Sequence, residues 1–200
     1  MTRNRADERA LEQLLVLRAQ VGEPTAHERL VEMHGARLRY YVRRLVRDAD
    51  AVEDVVQDTW LAVVRRIASL DDPGAFRAWM YRIARNLVTT RLRRRRALLS
   101  LDDPDHADDA PVAPDPTDDA LEVDAFDASD IQRAMERLPL PQREALALRY
   151  VDGLTYDEIA SVVDRNVGTV RSRLHYAKSN LHAELQRLRP DLGSHGATMR

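Results

Sequence analysis

Hydrophobic residues recur at helical spacing along most of the chain, and no stretch alternates apolar and polar residues for long enough to predict a β-strand. The N-terminal half predicts a short helix near Leu11–Val16 and longer helices at about Thr25–Arg47, Ala51–Ile67 and Ala75–Arg95. The C-terminal half predicts helices at about Ser129–Leu138, Pro141–Asp152 and Thr155–Val163, and a last one from Val167 or Gly168 to about Leu185. The fold class is therefore all-α, with two small helical domains.

Local signals mark several helix ends. Thr25 and Thr155 are each followed three residues later by a glutamate, Glu28 and Glu158, which predicts a capping box at both positions. Gly153 is placed to end the helix before it.

Charge is strongly segregated near the middle of the chain. Pro73–Leu101 contains eight arginines and no acidic residue, whereas Asp102–Asp130 contains twelve acidic residues and no lysine or arginine. The acidic stretch is also rich in proline and alanine and has too little apolar surface to offset its ordering entropy, so it predicts a flexible acidic linker. The expected division is a first domain at 1–97, the linker at 98–126, a second domain at 127–189 and a tail at 190–200.

The helix before the linker has an apolar face and a basic face. Five residues form the predicted buried stripe: Phe76, Trp79, Met80, Ile83 and Leu87. The opposite face and the end of the helix carry Arg82, Arg85, Thr89, Arg93, Arg94, Arg95 and Arg96, with Tyr81 and Asn86 at the flanks. This basic face suits nucleic-acid phosphates and predicts salt-sensitive binding. The alternative is a helix on an anionic membrane surface, although a domain core explains Trp79 and Ile83 more simply.

The C-terminal half contains a helix-turn-helix pattern. A short helix capped by Thr155 is followed by the turn Asp164–Asn166 and then by a longer helix with core positions Val170, Leu174, Ala177 and Leu181. Such a unit places its second helix in the DNA major groove. The candidates for base-edge or nearby contacts are Gly168, Thr169, Arg171, Ser172, His175 and Tyr176, and those for phosphate contacts are Arg165, Arg173 and Lys178. The alternative is an ordinary helical hairpin with a solvated basic face.

Other protein classes fit the composition poorly. The chain has no cysteine, which excludes disulfides and thiolate metal sites and makes a reducing cytoplasm the default location. Its six histidines have no metal-binding spacing, and the sequence has no phosphate-binding glycine loop or serine elbow, so neither an enzyme nor a metal or cofactor is expected. No signal peptide or membrane span is apparent. A dimeric helix-turn-helix regulator remains the main rival, and it would bind operators without polymerase.

Two segments together resemble one family. Leu138–Leu181 resembles the region of extracytoplasmic-function (ECF) sigma factors that reads the promoter −35 element, and Asp50–Arg96 resembles the region that binds core polymerase and reads the −10 element. The segments occur in the family's order with a linker between them. The resemblance implies a sigma factor that directs core RNA polymerase to promoter DNA and helps to melt it.

The resemblance also implies roles for individual residues. Asp54, Gln57 and Asp58 match the helix that docks on the clamp of the large polymerase subunit, although alone they would indicate only a solvated acidic face. Asn86 matches a residue that helps to hold a flipped −10 base, and Leu70 lies in the loop that captures this base. Arg82, Arg85 and the Arg93–Arg96 run match a track along the promoter backbone.

Regulation by an anti-sigma factor, in response to envelope or other stress, is a further implication of the resemblance. We expect both DNA surfaces to be exposed only when the domains separate, so that an inhibitor could pack between them. The chain departs from the family pattern at Asp164, where many members have glycine, and at Asn166, where they have a small residue or proline. Both residue types tolerate the left-handed backbone of such turns, so the motif should survive.

Overall fold

The computed structural model describes residues 2–46, 48–99 and 126–188, with side chains at 6–46, 48–94 and 126–188. The first unit contains α1 (Thr2–Gln20), α2 (Pro24–Leu45), α3 (Ala49–Arg66) and α4 (Phe76–Leu99). The second contains α5 (Ala128–Arg137), α6 (Leu140–Leu146), α7 (Tyr156–Val163) and α8 (Val167–Leu188). The predicted all-α class is confirmed, with no strand among these residues. Nearly all of the predicted linker and the whole predicted tail lie outside the described residues.

The four helices of the first unit pack around an aliphatic core. Its fully buried side chains include Val16, Leu30, Leu38, Val42 and Phe76. Helix α1 is much longer than the predicted segment at Leu11–Val16, and it packs against α2. Trp79 is half-buried against this core, as predicted for a structural tryptophan.

The predicted capping box at Thr25 is wrong. Helix α2 begins at Pro24, whose fixed φ suits the first turn, and the extended residue before it is Glu23. Thr25 is therefore already inside the helix, where its hydroxyl donates to the Glu23 carboxylate at 2.7 Å. The proline determines the start of the helix, so no threonine cap forms.

The helices of the second unit are delimited by local chemistry. The Thr155 hydroxyl accepts a hydrogen bond from the Glu158 amide at 3.2 Å, and the Glu158 carboxylate accepts one from the Thr155 amide at 2.6 Å, which confirms the predicted capping box. Gly153 has a φ of +67°, a left-handed conformation that glycine adopts without strain. After α6 the chain continues through a wider π turn at Ala147–Val151.

The two units are in contact. Helix α7 packs along α4, and α6 packs against α2. Tyr81, which was predicted at the flank of the basic face of α4, is buried here, and its hydroxyl donates to the Asp152 carboxylate. In the described part of the chain, no helix is long and apolar enough to cross a membrane.

Candidate nucleic-acid interface

A tight turn and two helices build the helix-turn-helix. Asp164 ends α7 in the left-handed region, with φ of 53° and ψ of 56°, and its amide donates to the carbonyl of Ala160. The Asn166 side-chain oxygen then accepts from the Thr169 amide at 2.7 Å and caps α8. Asp164 therefore has the left-handed backbone that its residue type tolerates, whereas Asn166 contributes to the turn as the cap of α8.

Four of the nine candidate residues in the turn and in α8 are exposed to solvent. Arg165, Arg171, His175 and Tyr176 are exposed, and the rings of His175 and Tyr176 meet edge to face with centroids 5.4 Å apart. The half-buried candidates are Gly168, Thr169, Arg173 and Lys178. Arginine, histidine and tyrosine together offer a guanidinium fork, ring nitrogens and a phenol to base edges or phosphates. The exposed face of α8 is therefore chemically suited to DNA.

Ser172 does not lie where the periodicity placed it. It was predicted on the face opposite Val170, but it is only 3% exposed, and its hydroxyl donates to the carbonyl of Thr169 at 3.0 Å. The short side chain satisfies its own helix instead of pointing outward. A contact between Ser172 and a base therefore remains a prediction. In this conformation Ser172 exposes no group that could make the contact.

The outer face of α4 carries exposed cations and an exposed amide. Arg82, Asn86, Arg93 and Arg94 are exposed, while Thr89 is half-buried. The side chains of Arg95 and Arg96 lie outside the described set. The face has the positive charge needed to follow a phosphate backbone, with one amide that can both donate and accept.

Arg85 on α4 is already paired with a residue of the second unit. Its Nε donates to Glu144 Oε1 at 3.0 Å, and the same oxygen accepts from the Tyr41 hydroxyl at 2.8 Å. Burial raises the pKa of Tyr41 and the negative charge of Glu144 raises it further, so this phenol stays protonated as a donor. Glu144 comes from the second unit. Sequence reasoning missed it because a glutamate in an amphipathic helix gives no sign of a distant partner.

Leu70 is largely buried at the loop before α4. Only 9% of the residue is exposed, and its carbonyl accepts from the Gln20 side chain at 2.7 Å. The loop is further fixed by Asp72, whose carboxylate accepts from the Gly74 amide at 2.8 Å. Contact between Leu70 and an extruded base therefore remains a prediction, and it would require this side chain to become accessible.

The candidate polymerase-binding residues form an exposed face on α3. Asp54, Gln57 and Asp58 are all exposed, and Asp54 accepts a hydrogen bond from Arg91 at 3.1 Å. Two apolar residues that sequence reasoning missed, Leu61 and Val64, continue this surface at 44% and 50% exposure. Leu61 lies seven residues after Asp54 and thus on the same face, which was the available signal. A mixed acidic and apolar surface of this kind suits protein contact.

Asp152 is the second acidic residue of the contact between the units. Burial raises the pKa of Asp152 to about 6, even though the Tyr81 hydroxyl and nearby cations favour its ionised form. Arg77 also donates to the backbone carbonyl of Asp152 at 3.0 Å. Among the described residues, no cluster of three or more histidine or acidic side chains could hold a metal ion.

Family models match both units. A model of sigma-70 region 2 matches residues 30–98, and a model of sigma-70 region 4 matches residues 128–181. The second match contains α7, the turn and α8 as far as Leu181, and the first contains α3 and nearly all of α4. The exposed face of α8 and the exposed faces of α3 and α4 therefore lie in separate matched regions.

Relatives and a solved structure extend the similarity over nearly the whole chain. The chain is 33% identical to the ECF RNA polymerase sigma factor SigE of Mycolicibacterium smegmatis over 154 residues, covering 77% of this chain and 59% of that protein. It is 32% identical to the RNA polymerase sigma-H factor of Pseudomonas aeruginosa, covering 88% of this chain and 95% of that one. It also resembles the sigma factor RpoE of Bartonella quintana, solved with the anti-sigma factor NepR, with a TM-score of 0.63, 26% identity and coverage of 80% and 96%.

Proposed function

Because the chain belongs to the ECF family of RNA polymerase sigma factors, we propose that it binds core RNA polymerase and directs it to specific promoters. The observation that carries this proposal is the pairing of two different surfaces on one chain. One is a helix-turn-helix with an exposed basic reading face, and the other is a basic helix beside an exposed acidic and apolar face. An autonomous repressor needs only the first of these surfaces.

The second unit reads the −35 element in this proposal. Helix α8 enters the major groove with its N-terminal residues first, and Arg171 is the best placed to fork onto a guanine. His175 and Tyr176 lie about one turn further along and can meet base edges or sugar and phosphate. Arg165, Arg173 and Lys178 position the helix on the backbone without specifying sequence.

The first unit binds and opens the −10 element. Arg82, Arg85, Arg93 and Arg94, together with Arg95 and Arg96, follow the backbone, and Thr89 lies within the same track. Extruding a base costs a few kcal/mol, so a group that holds it must form new hydrogen bonds, which the exposed Asn86 can supply. Asp54, Gln57 and Asp58 dock on the polymerase clamp, with Leu61 and Val64 completing that contact.

The proposed role is recognition and melting without catalysis, in the cytoplasm where core polymerase acts. We further propose control by an anti-sigma factor in a stress response, since a structurally similar chain was solved with such an inhibitor. The expectation that both DNA surfaces are hidden while the units touch is wrong, because Arg82, Asn86, Arg171 and His175 are exposed in the contacting arrangement. An inhibitor would therefore have to cover these faces itself or fix the arrangement of the units.

Binding of a promoter library with and without core polymerase tests the proposal. Genomic duplexes are incubated with the chain alone, with core alone and with both, and the retained fragments are sequenced. We expect a common pair of spaced motifs to be enriched only when both proteins are present. Enrichment of a palindromic site by the chain alone would instead support a dimeric operator-binding regulator.

Replacing Arg171 by alanine is expected to change which −35 elements are used. Loss of one bidentate base contact costs about 1–3 kcal/mol of discrimination, so preference at one −35 position should fall by about 5- to 150-fold. The measurement is transcription by the reconstituted holoenzyme from templates that differ at single −35 positions. Lys178→Ala is the comparison, since loss of a phosphate contact should weaken all templates alike. Uniform weakening by Arg171→Ala would contradict base reading by this residue.

A further inference from the structure

Helix α1 packs against the segment that joins the proposed polymerase-binding helix α3 to the proposed DNA-reading helix α4. This segment, residues 67–75, contains two short 3₁₀ turns, Ile67–Ser69 and Pro73–Ala75. We call it the capture loop, because the extruded −10 base is expected to meet it. Both turns contact α1. The shape of the capture loop therefore depends on a helix that is assigned no contact with polymerase or DNA.

One side chain of α1 holds the first turn of the capture loop. The Gln20 amide nitrogen donates to the carbonyl of Ile67 at 3.1 Å and to the carbonyl of Leu70 at 2.7 Å. These bonds span 47 and 50 positions of the chain, so they tie the loop to a distant element. The bond from the Leu70 amide to the Ile67 carbonyl, at 3.1 Å, is by contrast local and belongs to the turn itself. Because an amide group has two N–H donors, half-buried Gln20 can satisfy both carbonyls and fix the backbone at both ends of this turn.

Two further residues bring α1 close to the second turn and to the start of α4. A β-carbon at Gly74 would lie 3.1 Å from the side-chain nitrogen of Gln13, so glycine permits this close approach. Glu12, which is only 4% exposed, places a carboxylate oxygen 3.4 Å from the Nε of Arg77 in the first turn of α4. Helix α1 therefore supports both turns of the capture loop and the helix that follows it.

The supported loop turns an apolar side chain inward and polar side chains outward. Leu70 is largely buried, whereas Ser69 and Asp71 are exposed. The Ser69 hydroxyl donates to the carbonyl of Arg66 at 2.8 Å and can still accept, and the Asp71 carboxylate offers two more acceptor oxygens. Acceptors of this kind suit the amino groups on the edge of a base. Their position depends on the backbone that Gln20 holds.

We propose that Gln20 is a positioning residue for promoter opening, which holds the capture loop in the shape that receives the extruded −10 base. This inference rests on the proposed function, since it assumes that the loop meets this base. Gln20 acts through the two loop carbonyls rather than through contact with DNA. A loop that is ordered in advance loses less conformational entropy when it binds, so the base is held more firmly and selected more sharply.

Hydrogen exchange of the free chain measures this support directly. Gln20→Glu keeps the size of the side chain but places carboxylate acceptors against two carbonyls. Two hydrogen bonds correspond to about 5- to 150-fold in an equilibrium constant, so amide exchange in residues 67–75 should become faster by about this factor. Gln20→Ala introduces no charge and should change exchange in the same direction. Gln132→Glu, the same substitution at an exposed glutamine on α5, is the matched control and should leave exchange in the loop unchanged.

Promoter opening by the reconstituted holoenzyme supplies a readout that a folding defect would not mimic. The templates differ only at the extruded −10 base. Both Gln20 variants should open the preferred template at least about threefold more slowly and should discriminate less between bases, because the loop must now become ordered during capture. Affinity for core polymerase, affinity for closed duplex and preference at −35 positions should stay at wild-type levels.

The outcomes separate this role from the proposed function. Wild-type exchange in the loop of both Gln20 variants, or wild-type preference at the extruded base, would overturn the role of Gln20 even if the chain opens promoters normally. Equal slowing on every template together with weaker core binding would also overturn it, since that pattern indicates a general loss of structure. A wild-type chain that opens no promoter with core would instead overturn the proposed function, and this role with it, whatever the exchange rates are.

Discussion

Reversing charge on the exposed face of α3 is expected to abolish association with core RNA polymerase. The double variant Gln57→Arg/Asp58→Arg replaces an amide and a carboxylate with two cations on a surface that is exposed in the folded chain. Loss of one close charged contact at a protein interface costs about 2–5 kcal/mol, and like-charge juxtaposition costs several more. The affinity for core should therefore fall by at least about 100-fold, as measured by titrating labelled chain with core.

The matched control is Glu32→Lys, an exposed charge reversal on α2. Glu32 pairs with Arg29 at 3.3 Å on the surface, and such pairs contribute little to stability. Both variants should unfold within a few degrees of the wild type, since none of these positions is buried. Core binding by the double variant with wild-type affinity would show that this face of α3 is not the docking surface.

Replacing Asn86 by alanine is expected to slow promoter opening while leaving duplex binding intact. Asn86 is exposed beside the cations of α4, and the amide is proposed to hold an extruded base whose unstacking costs a few kcal/mol. Loss of about 1.4–2.8 kcal/mol of that holding energy corresponds to about a 10- to 100-fold slower opening. Permanganate reactivity of unpaired thymines over time, with reconstituted holoenzyme, reports the opening rate.

Gln132→Ala serves as the comparison for Asn86→Ala. It removes an exposed amide from α5, where Gln132 donates to Glu136 at 3.3 Å, and it should not affect opening. Filter binding of closed duplex provides the second readout and should be unchanged in both variants. If Asn86→Ala opened promoters at the wild-type rate, the assignment of the base pocket to this residue would be wrong.

The helix-turn-helix could be predicted almost residue by residue because its signals are local. Thr155 and Glu158 form the predicted capping box, and Gly153 follows the preceding helical segment with a left-handed backbone. Asp164 also adopts the left-handed conformation that its residue type tolerates. Each of these features depends on residues within four positions, so the sequence contains all the information that the fold uses there.

Contacts between distant residues could not be predicted in this way. Tyr41 and Glu144 are 103 positions apart, and Tyr81 and Asp152 are 71 apart, so no periodicity links them. The sequence showed only that two acidic residues and two tyrosines lie on amphipathic helices. Eight of the sixteen candidate DNA residues whose side chains are described are exposed. The burial of Ser172 and the pairing of Arg85 could be found only from the three-dimensional arrangement.

The extent of α1 was also underestimated, for a different physical reason. Its N-terminal residues are mostly charged, and apolar periodicity detects only the part of a helix that has a clear buried stripe. In the structure α1 runs from Thr2 to Gln20. Three of its leucines, Leu11, Leu14 and Leu17, are about half exposed, which weakens the stripe further.

Transcription reconstituted from purified components tests the central proposal most directly. The chain is added to core polymerase with a pool of genomic promoter fragments, and the 5′ ends of the transcripts are sequenced. We expect defined start sites preceded by two spaced motifs. Core polymerase alone should not use these start sites, and neither should core polymerase supplied with the Gln57→Arg/Asp58→Arg variant. Absence of any start site that depends on the chain, together with no association between the chain and core, would contradict the account even if the helix-turn-helix binds duplex DNA.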